Sequence, residues 1–496
     1  MLLSEIVSKA DIRYEITDDV EVKGLSYDSR KIEEGFVFFA IPGFKEDGSK
    51  YIQAAINKKA IAIICDKRVS IPELKIQPAI IPVSDVRLVM AKVACIFFNN
   101  PSNYLKLAGV TGTNGKTTIT FILKSIFESA GIKTGLIGTL GYQYNNTLSK
   151  AMLTTPESIE LNSIMSDMRT FGVNACAMEV SSVALDLDRV TGLDFDIGIF
   201  SNLTPEHLDF HNSMNDYFLS KKKFFDELKP DAVAVSNADD EFGEAILEDT
   251  KAGKVTYSLL KNSDYKVTNY SLSLDGSEFT IEHHGEKYFF VSNLTGKFNL
   301  YNLAAGIATS FEMKIDYKSI KSAIETLAPV DGRFNLIKLP NDAYTVIDYS
   351  HTSDSLKNAI ESAINLINES DSGGRVITIF GCGGNRDRLK RPVMGKYATE
   401  LSDYVIITSD NPRFENPDSI IDEIVAGIEN KTNFERITDR ELAIKRGIEL
   451  SKSGDLILIC GKGHETYQEV KGIRSHFDDK EIVSKYMNLT VEKRDE

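Results

Sequence analysis

The chain has 496 residues, 42% apolar and 26% charged, the balance of an ordinary soluble globular protein. Its 57 basic and 72 acidic side chains leave a net charge of −15. That excludes a nucleic-acid coat or a polybasic membrane binder, but not anionic ligands, because a local cluster of Arg, Lys and backbone N–H groups can hold phosphate on an acidic protein.

At about 150 residues per domain the length predicts three domains, each with its own core. The opening MLLSEIVSKADIRYE lacks a basic segment followed by an apolar core, so no signal peptide is read there. The longest apolar runs, such as AIAIIC at 60–65, fall far short of the roughly 20 residues that span a membrane. Cys65, Cys95, Cys176, Cys382 and Cys460 are odd in number and widely spaced, which predicts buried reduced thiols and a cytoplasmic location. Short β-rich runs alternate with amphipathic helical stretches, the pattern of α/β architecture with parallel sheets. The turn-forming NNPSN at 99–103 and PVDGR at 329–333 divide the chain into domains 1–100, 101–331 and 332–496. In the first, DSR at 28–30 and a Gly/Asp-rich loop at 43–48 read, taken alone, as turns.

LKLAGV at 105–110 predicts a buried strand, TGTNGKTT at 111–118 a Gly-rich loop, and ITFILKSIFESAG a helix closed by Gly131. Together they form a phosphate-binding P-loop. Backbone N–H groups of Gly112, Thr113, Asn114 and Gly115 can turn toward a phosphate at the positive end of the helix. Lys116 would reach the β- and γ-phosphates of ATP, and Thr117, with Thr118 beside it, would ligate Mg²⁺. Val110 stands where the common P-loop pattern has Gly.

This variant, GxxGTNGKT, resembles the Mur ligase and folylpolyglutamate synthase superfamily, whose members use ATP to make an acyl-phosphate from a carboxylate that an amine then attacks. The resemblance covers essentially the whole chain. It implies an α/β protein with a smaller N-terminal uridine-binding domain, a central P-loop ATPase-like parallel-sheet domain and a Rossmann-like C-terminal domain.

MEVSS at 178–182 puts Glu179 at a strand's carboxyl end, well placed to ligate Mg²⁺ directly or through water. SNLTPEHLDFH brings His207 and His211, and YFLSKKKFF brings Lys221. By residue type alone KKK is a solvated face. The resemblance implies instead that CO₂ carbamylates Lys221 to N6-carboxylysine, which with Thr117, Glu179 and His207 holds two Mg²⁺ ions. Two such ions can offset the charge of the γ-phosphate and the attacking carboxylate. The implied catalytic set is Lys116, Glu179, His207 and Lys221.

Asn299 and Asn302 share one helix face and taken alone read as caps. The resemblance lays them against adenine, gives Arg333 of DGRF to phosphate and Asp348 of TVIDY to ribose, and sets His351 near the nucleotide. The family commonly reads HTPD where this chain has HTSD, so Ser353 predicts a locally looser turn.

Four further strand-like runs, YTVIDY, RVITIF, YVIITS and DLILIC, end in the polar loops SHT, GCGGNRDRLKRP, DNPR and GKGHET. Ligands in open α/β sheets bind beyond the carboxyl ends of strands, so these loops predict a site. Arg386, Arg388 and Arg413 can take a carboxylate. Glu465 and the Gly461 carbonyl can accept from an ammonium, and Asn411 can donate. Such a site suits a ligand with both groups. DNPR at 410–413 with GKGHE at 461–465 resembles the muramyl tripeptide ligases that add meso-diaminopimelate, which implies a diaminopimelate site of Arg386, Asp410, Asn411, Pro412, Arg413, Gly461 and Glu465. Arg413 would meet the distal carboxylate of diaminopimelate and repel the ammonium of lysine.

Residues 24–52 resemble the family's uridine module, with Ser29 on the nucleotide sugar. Thr154, Thr155, Ser181 and Arg189 carry over as contacts to the UDP-dipeptide; Leu187 stands where relatives have a polar residue. The resemblance thus implies an ATP-dependent amide ligase of peptidoglycan precursor synthesis. It would join meso-diaminopimelate to a UDP-N-acetylmuramoyl-dipeptide as a cytoplasmic monomer, with no nucleic-acid partner and no membrane insertion. Closure of the C-terminal domain over the central one would shield the acyl-phosphate from water. The alternatives are an L-lysine-adding ligase, a folylpolyglutamate synthase, a P-loop ATPase switch and an inactive scaffold. DNPR disfavours the first and the uridine module the second. The switch leaves DNPR and GKGHE unexplained, and the full catalytic set disfavours the scaffold.

Overall fold

A computed structural model describes residues 1–43, 47–69, 78–145, 148–149, 153–205, 210–211, 213–370, 373–429 and 432–490. The chain divides into two compact units, 1–256 with 308–315 and 257–307 with 316–496.

The first unit opens with α1 (Leu3–Lys9), β1 (Gly24–Ser26), β2 (Phe36–Ala40), α2 (Ile52–Asn57), β3 (Ala62–Asp66), β4 (Ala79–Val83) and α3 (Val86–Phe97). The strands pair in parallel in the order β1-β2-β3-β4. FVFFA and the AIIC of β3 are continuously apolar because both faces of this sheet are covered. Val37, Phe39 and Ile64 join Met90 and Val93 of α3 in one cluster, while Phe38 and Ile63 join Ala55 of α2 in another.

A second sheet follows, from β5 (Lys106–Thr111), α4 (Lys116–Ser129), β6 (Thr134–Gly138), β7 (Gly141–Gln143), β8 (Leu148–Ser149), α5 (Ser158–Thr170), β9 (Ala175–Glu179), α6 (Ser182–Asp186), β10 (Ile197–Phe200), α7 (Met214–Asp226) and β11 (Val233–Asn237). Within this unit the order is β11-β10-β5-β9-β6-β7-β8, parallel as far as β6 and antiparallel at the β7–β8 edge. The P-loop therefore leaves the carboxyl end of an interior strand. Gly131 has φ +78°, the left-handed residue expected just past α4.

The unit boundary falls in β12 (Gly253–Ser258). The second unit continues with β13 (Tyr265–Ser273), β14 (Gly276–His283) and β15 (Glu286–Ser292), an antiparallel meander where the sequence pattern predicted parallel strands and helices. The physical reason is the turns: two-residue links cannot carry a crossover helix, and His284 and Gly285 at φ 49° and 81° suit a tight hairpin. After α8 (Lys297–Glu312) and α9 (Tyr317–Thr326) come β16 (Asn335–Lys338), β17 (Tyr344–Asp348), α10 (Ser353–Glu369), β18 (Val376–Phe380), α11 (Lys390–Leu401), β19 (Tyr404–Ile407), α12 (Pro417–Val425), β20 (Phe434–Arg436), α13 (Arg440–Leu450), β21 (Leu456–Cys460), the hairpin β22 (Tyr467–Val470) and β23 (Ile473–His476), and α14 (Asp479–Tyr486). The six-stranded order is β16-β17-β21-β18-β19-β20, with only β16 antiparallel. Alternate residues feed two cores: Val346, Phe380 and Leu458 on one face, Ile347, Ile379 and Ile459 on the other. All four polar loops expected from sequence leave carboxyl ends of these parallel strands.

All five cysteines are free and buried, as expected. Burial pushes the thiol of Cys95 up to about 11 and those of Cys176 and Cys382 to about 12, so they stay protonated. Among the described residues no helix is long and apolar enough to cross a membrane.

Candidate active site

Gly112 and Gly115, at φ 142° and 87°, let the chain turn from β5 into α4. A side chain at Gly112 would lie 2.0 Å from Ser201 Oγ. The loop is pinned from β10 outward: Thr113 N–H donates to Asn202 O at 2.8 Å, Asn114 N–H to Asn202 Oδ1 at 2.9 Å, and Ser201 Oγ to Asn114 O at 2.6 Å. Lys116 Nζ folds back on the loop carbonyls of Gly112 and Thr113, at 2.8 and 2.7 Å. Thr117 and Thr118 are buried at the start of α4.

Glu179 is 1% exposed at the end of β9. Thr117 Oγ1 donates to its Oε1 at 2.9 Å, Thr139 N–H to Oε1 at 2.9 Å and Thr139 Oγ1 to Oε2 at 3.0 Å. Gly138 must be side-chain-free, because a Cβ there would lie 2.3 Å from Glu179 Oε1. The result is a buried carboxylate beside a threonine hydroxyl at a helix N-terminus, hard oxygen donors of the kind Mg²⁺ takes. Lys221 of α7 is also 1% exposed, so KKK is not a solvated face. Its Nζ donates to Gly112 O at 3.1 Å and lies 4.5 Å from the ring centre of Tyr217, whose hydroxyl is 3.1 Å from Thr113 Oγ1. Lys222 and Lys223 instead pair with Asp226, Asp249 and Asp188 at 2.6–2.7 Å. His207 lies outside the described residues. His211 is buried between Ser182 Oγ at 2.9 Å and Asp186 Oδ2 at 3.3 Å.

Thr154 Oγ1 is 3.2 Å from Thr139 Oγ1. Thr155 Oγ1 donates to the Glu179 carbonyl at 2.8 Å and accepts from Ser181 N–H at 3.1 Å, while Ser181 caps α6. Arg189 donates from Nη1 to Thr155 O at 3.1 Å and pairs through Nη2 with Glu157 at 3.0 Å. The other Glu157 oxygen meets Arg87 of α3 at 3.0 Å, and Tyr27 donates to Glu160 at 2.9 Å. These last two contacts tie the first sheet's elements to α5. Ser29, two residues from Tyr27, is half-buried at the start of a 3-10 turn capped by Asp28.

In the second unit, Asn299 and Asn302 are buried but do not cap. Asn299 Nδ2 donates to Thr295 O at 2.8 Å and Asn302 Nδ2 to Asn299 Oδ1 at 3.0 Å. Asp348 accepts from Phe334 N–H at 2.8 Å and Ser350 N–H at 2.9 Å, so it braces the DGRF turn. The guanidinium of Arg333 lies 5.5 Å from the Tyr349 ring centre, with the rings of His351 at 4.6 Å and His464 at 4.9 Å. Buried Arg333 Nε and His464 Nδ1 have no hydrogen-bond partner among the described residues. Burial, and then the charge of Arg333, hold His464 down at about 4. Ser353 does not loosen its turn: Thr352 and Ser355 form a capping box at the start of α10.

The DNPR, GKGHE and GCGGNR loops come together. Asn411 Nδ2 donates to Glu465 Oε2 at 2.8 Å, joining DNPR to GKGHE. Arg413 Nη1 donates to Gly384 O at 2.8 Å, joining DNPR to GCGGNR. A side chain on Gly384 would lie 2.0 Å from Pro412 O, and one on Gly461 2.7 Å from Asp410 Oδ2. Arg386 is exposed. Arg388 is exposed too, and it pairs with Glu423 of α12.

Sequence reasoning missed Thr139, which orients Glu179, and Arg391, which is fully buried and holds Glu415 and Glu423 at 2.9 Å and Gly383 O at 3.2 Å. Nothing in the run RDRLKRP separates the buried Arg391 from its solvated neighbours. The GTLG segment carried only a glycine beside a threonine.

Three family descriptions match the chain in order: Mur ligase family, catalytic domain, over residues 21–105; Mur ligase middle domain over 110–310; and Mur ligase, glutamate ligase domain, over 332–463. The chain is 40% identical over 492 residues to UDP-N-acetylmuramoyl-L-alanyl-D-glutamate--2,6-diaminopimelate ligase 1 of Clostridium acetobutylicum, covering 98% of this chain and 99% of that one. It is 42% identical over 488 residues to the 2,6-diaminopimelate ligase of Clostridium tetani, covering 97% and 98%. A solved UDP-N-acetylmuramoyl-L-alanyl-D-glutamate--2,6-diaminopimelate ligase superposes with TM-score 0.71 at 30% identity over 99% of both chains.

Proposed function

The chain belongs to the Mur ligase family, and on that premise we propose that it joins meso-diaminopimelate to UDP-N-acetylmuramoyl-L-alanyl-D-glutamate at the expense of ATP, in the cytoplasm. The observation that carries the amino-acid choice is the meeting of DNPR with GKGHE through Asn411 and Glu465, with Arg413 at the same loops. A guanidinium beside a carboxylate and an amide suits a ligand with two carboxylates and an amine.

The γ-phosphoryl group of ATP passes to the free carboxylate of the D-glutamyl residue, giving a mixed acyl-phosphate and ADP. The diaminopimelate amine then attacks the acyl carbon. The tetrahedral adduct loses its proton to solvent, the C–O bond to phosphate breaks, and the amide forms. Positioning and charge stabilisation are most of the work in such a transfer. Lys116 leaves the loop carbonyls to bind the β/γ-phosphates, and Gly112–Gly115 supply N–H donors. Thr117, Glu179, His207 and carbamylated Lys221 would hold two Mg²⁺ ions, which supply charge neutralisation at the transferring phosphoryl group. Lys221 is buried with its Nζ at the P-loop carbonyl of Gly112, beside Thr117 and Glu179 in the same site, and that placement supports the carbamate. Arg189, Thr155 and Ser181 receive the dipeptide, Ser29 the uridine sugar, and Asn299, Asn302, Arg333 and Asp348 the rest of ATP.

ADP release measured with and without each substrate tests the reading. Release should require both UDP-dipeptide and meso-diaminopimelate. Release indifferent to both sinks the ligase assignment, and faster turnover with L-lysine sinks the specificity. A carbamate signal from labelled bicarbonate should appear in the carbon NMR spectrum and vanish in Lys221→Ala.

A further inference from the structure

We propose that the buried Arg440–Asp479 ion pair is the positioning device of the amino-acid site, holding the roots of DNPR and GKGHE in one register. The proposal rests on the ligase reading above. Both side chains are 0% exposed. Arg440 donates from Nε to Asp479 Oδ1 at 2.8 Å and from Nη2 to Asp479 Oδ2 at 2.7 Å. The same fork reaches two carbonyls: Nη2 to Cys460 O at 3.0 Å and Nη1 to Ser409 O at 3.5 Å. Cys460 is the residue before Gly461, and Ser409 the residue before Asp410.

The two loops spring from β21 and β19, which are not neighbours, because β18 lies between them. No ladder hydrogen bond joins β21 to β19, and at the carboxyl ends of these two strands the Arg440 guanidinium spans the gap; further out, Asn411 and Arg413 bond to Glu465 and Glu469. Gln468 fastens the DNPR root from the β22 side, its Nε2 donating to Ser409 Oγ at 3.1 Å and Asp410 O at 2.8 Å. The ligand-facing outcome is the Asn411–Glu465 contact.

Stability alone does not call for this pair. Arg440 opens α13, where a cation opposes the helix dipole. Desolvating two charges offsets most of their attraction, so apolar side chains of like volume would hold the fold as well. A position that breaks a local rule at full burial, directly behind a site, is where a functional constraint belongs. Displacement of either root would part Arg413, Asn411 and Glu465 from a common ligand.

Replacing the pair with Arg440→Met and Asp479→Leu together tests this. The double variant should melt within a few degrees of the unsubstituted chain. Its KM for meso-diaminopimelate should rise about tenfold or more, with the KM values for ATP and UDP-dipeptide within about twofold. Arg440→Lys keeps the charge but loses the fork, and should raise the same KM several-fold; it carries the test if the double variant does not fold. An unchanged diaminopimelate KM overturns the proposal, and so does a parallel rise in all three KM values or a fall in kcat alone. Failure of the ligase reading is read separately, from an unsubstituted chain whose ADP release ignores diaminopimelate.

Discussion

Arg413 shows what one side chain carries. It holds φ 50°, a backbone region that costs energy for a side chain of its size, and it is kept there by a bond from its N–H to Glu469 O at 2.9 Å. The guanidinium at that position donates to Gly384 O. A charge-assisted hydrogen bond contributes about 1.5–3 kcal/mol, so Arg413→Ala should raise the diaminopimelate KM roughly 10- to 100-fold and leave that of ATP nearly unchanged, as steady-state kinetics with each substrate varied will check. His464 gives a pH signature. Its imidazole is held at about 4 in the folded chain against 6.5 when free, so the unfolded chain takes up the proton first as pH falls. Stability is therefore lost between about 6.5 and about 4. His464→Gln should flatten that part of the pH–melting curve relative to the unsubstituted chain; parallel curves would refute it. The presence of DNPR and GKGHE was legible in the chain, but the proton poise of His464 was not. It comes from burial beside Tyr349 and Arg333, over 100 residues earlier.

Secondary-structure elements were the most legible level. The β5–loop–α4 unit and the four C-terminal strands with their helices stand where the apolar runs predicted them, because each is set by neighbours in the chain. The meander at 265–292 was not read, because its hairpin turns compete with the βαβ pattern only through two residues each. The P-loop turn also carries its own test. Gly112 at φ 142° has no room for a Cβ beside Ser201. Gly112→Ala should cost about 1–3 kcal/mol of backbone strain and raise the ATP KM, as thermal melting and nucleotide titration will measure. A variant that melts and binds ATP like the original would mean the loop repacks freely.

For the whole chain, the net charge of −15 belongs to the exterior, while the cations proposed to meet ATP, dipeptide and diaminopimelate are local: Lys116, Arg189, Arg333, Arg386 and Arg413. Two compact units with separate cores predict unfolding that is not two-state. Scanning calorimetry should give a calorimetric enthalpy well above the van't Hoff value; equal enthalpies would show one cooperative block. Pattern along the chain was sufficient to propose the chemistry: a phosphate loop, a carboxylate at a strand end, and loops whose residue types suit a carboxylate and an ammonium. Each is written in a few consecutive residues whose conformation their own turns and neighbours impose. Folding alone established which of these groups are buried and what holds them. Glu179 is clasped by Thr117 and Thr139, Lys221 and Lys222 are withdrawn from solvent while Lys223 is only half-buried, and Arg440 bridges two loops across an intervening strand. Strand order and burial bring those partners together across tens to more than a hundred residues, and no local spacing encodes that order.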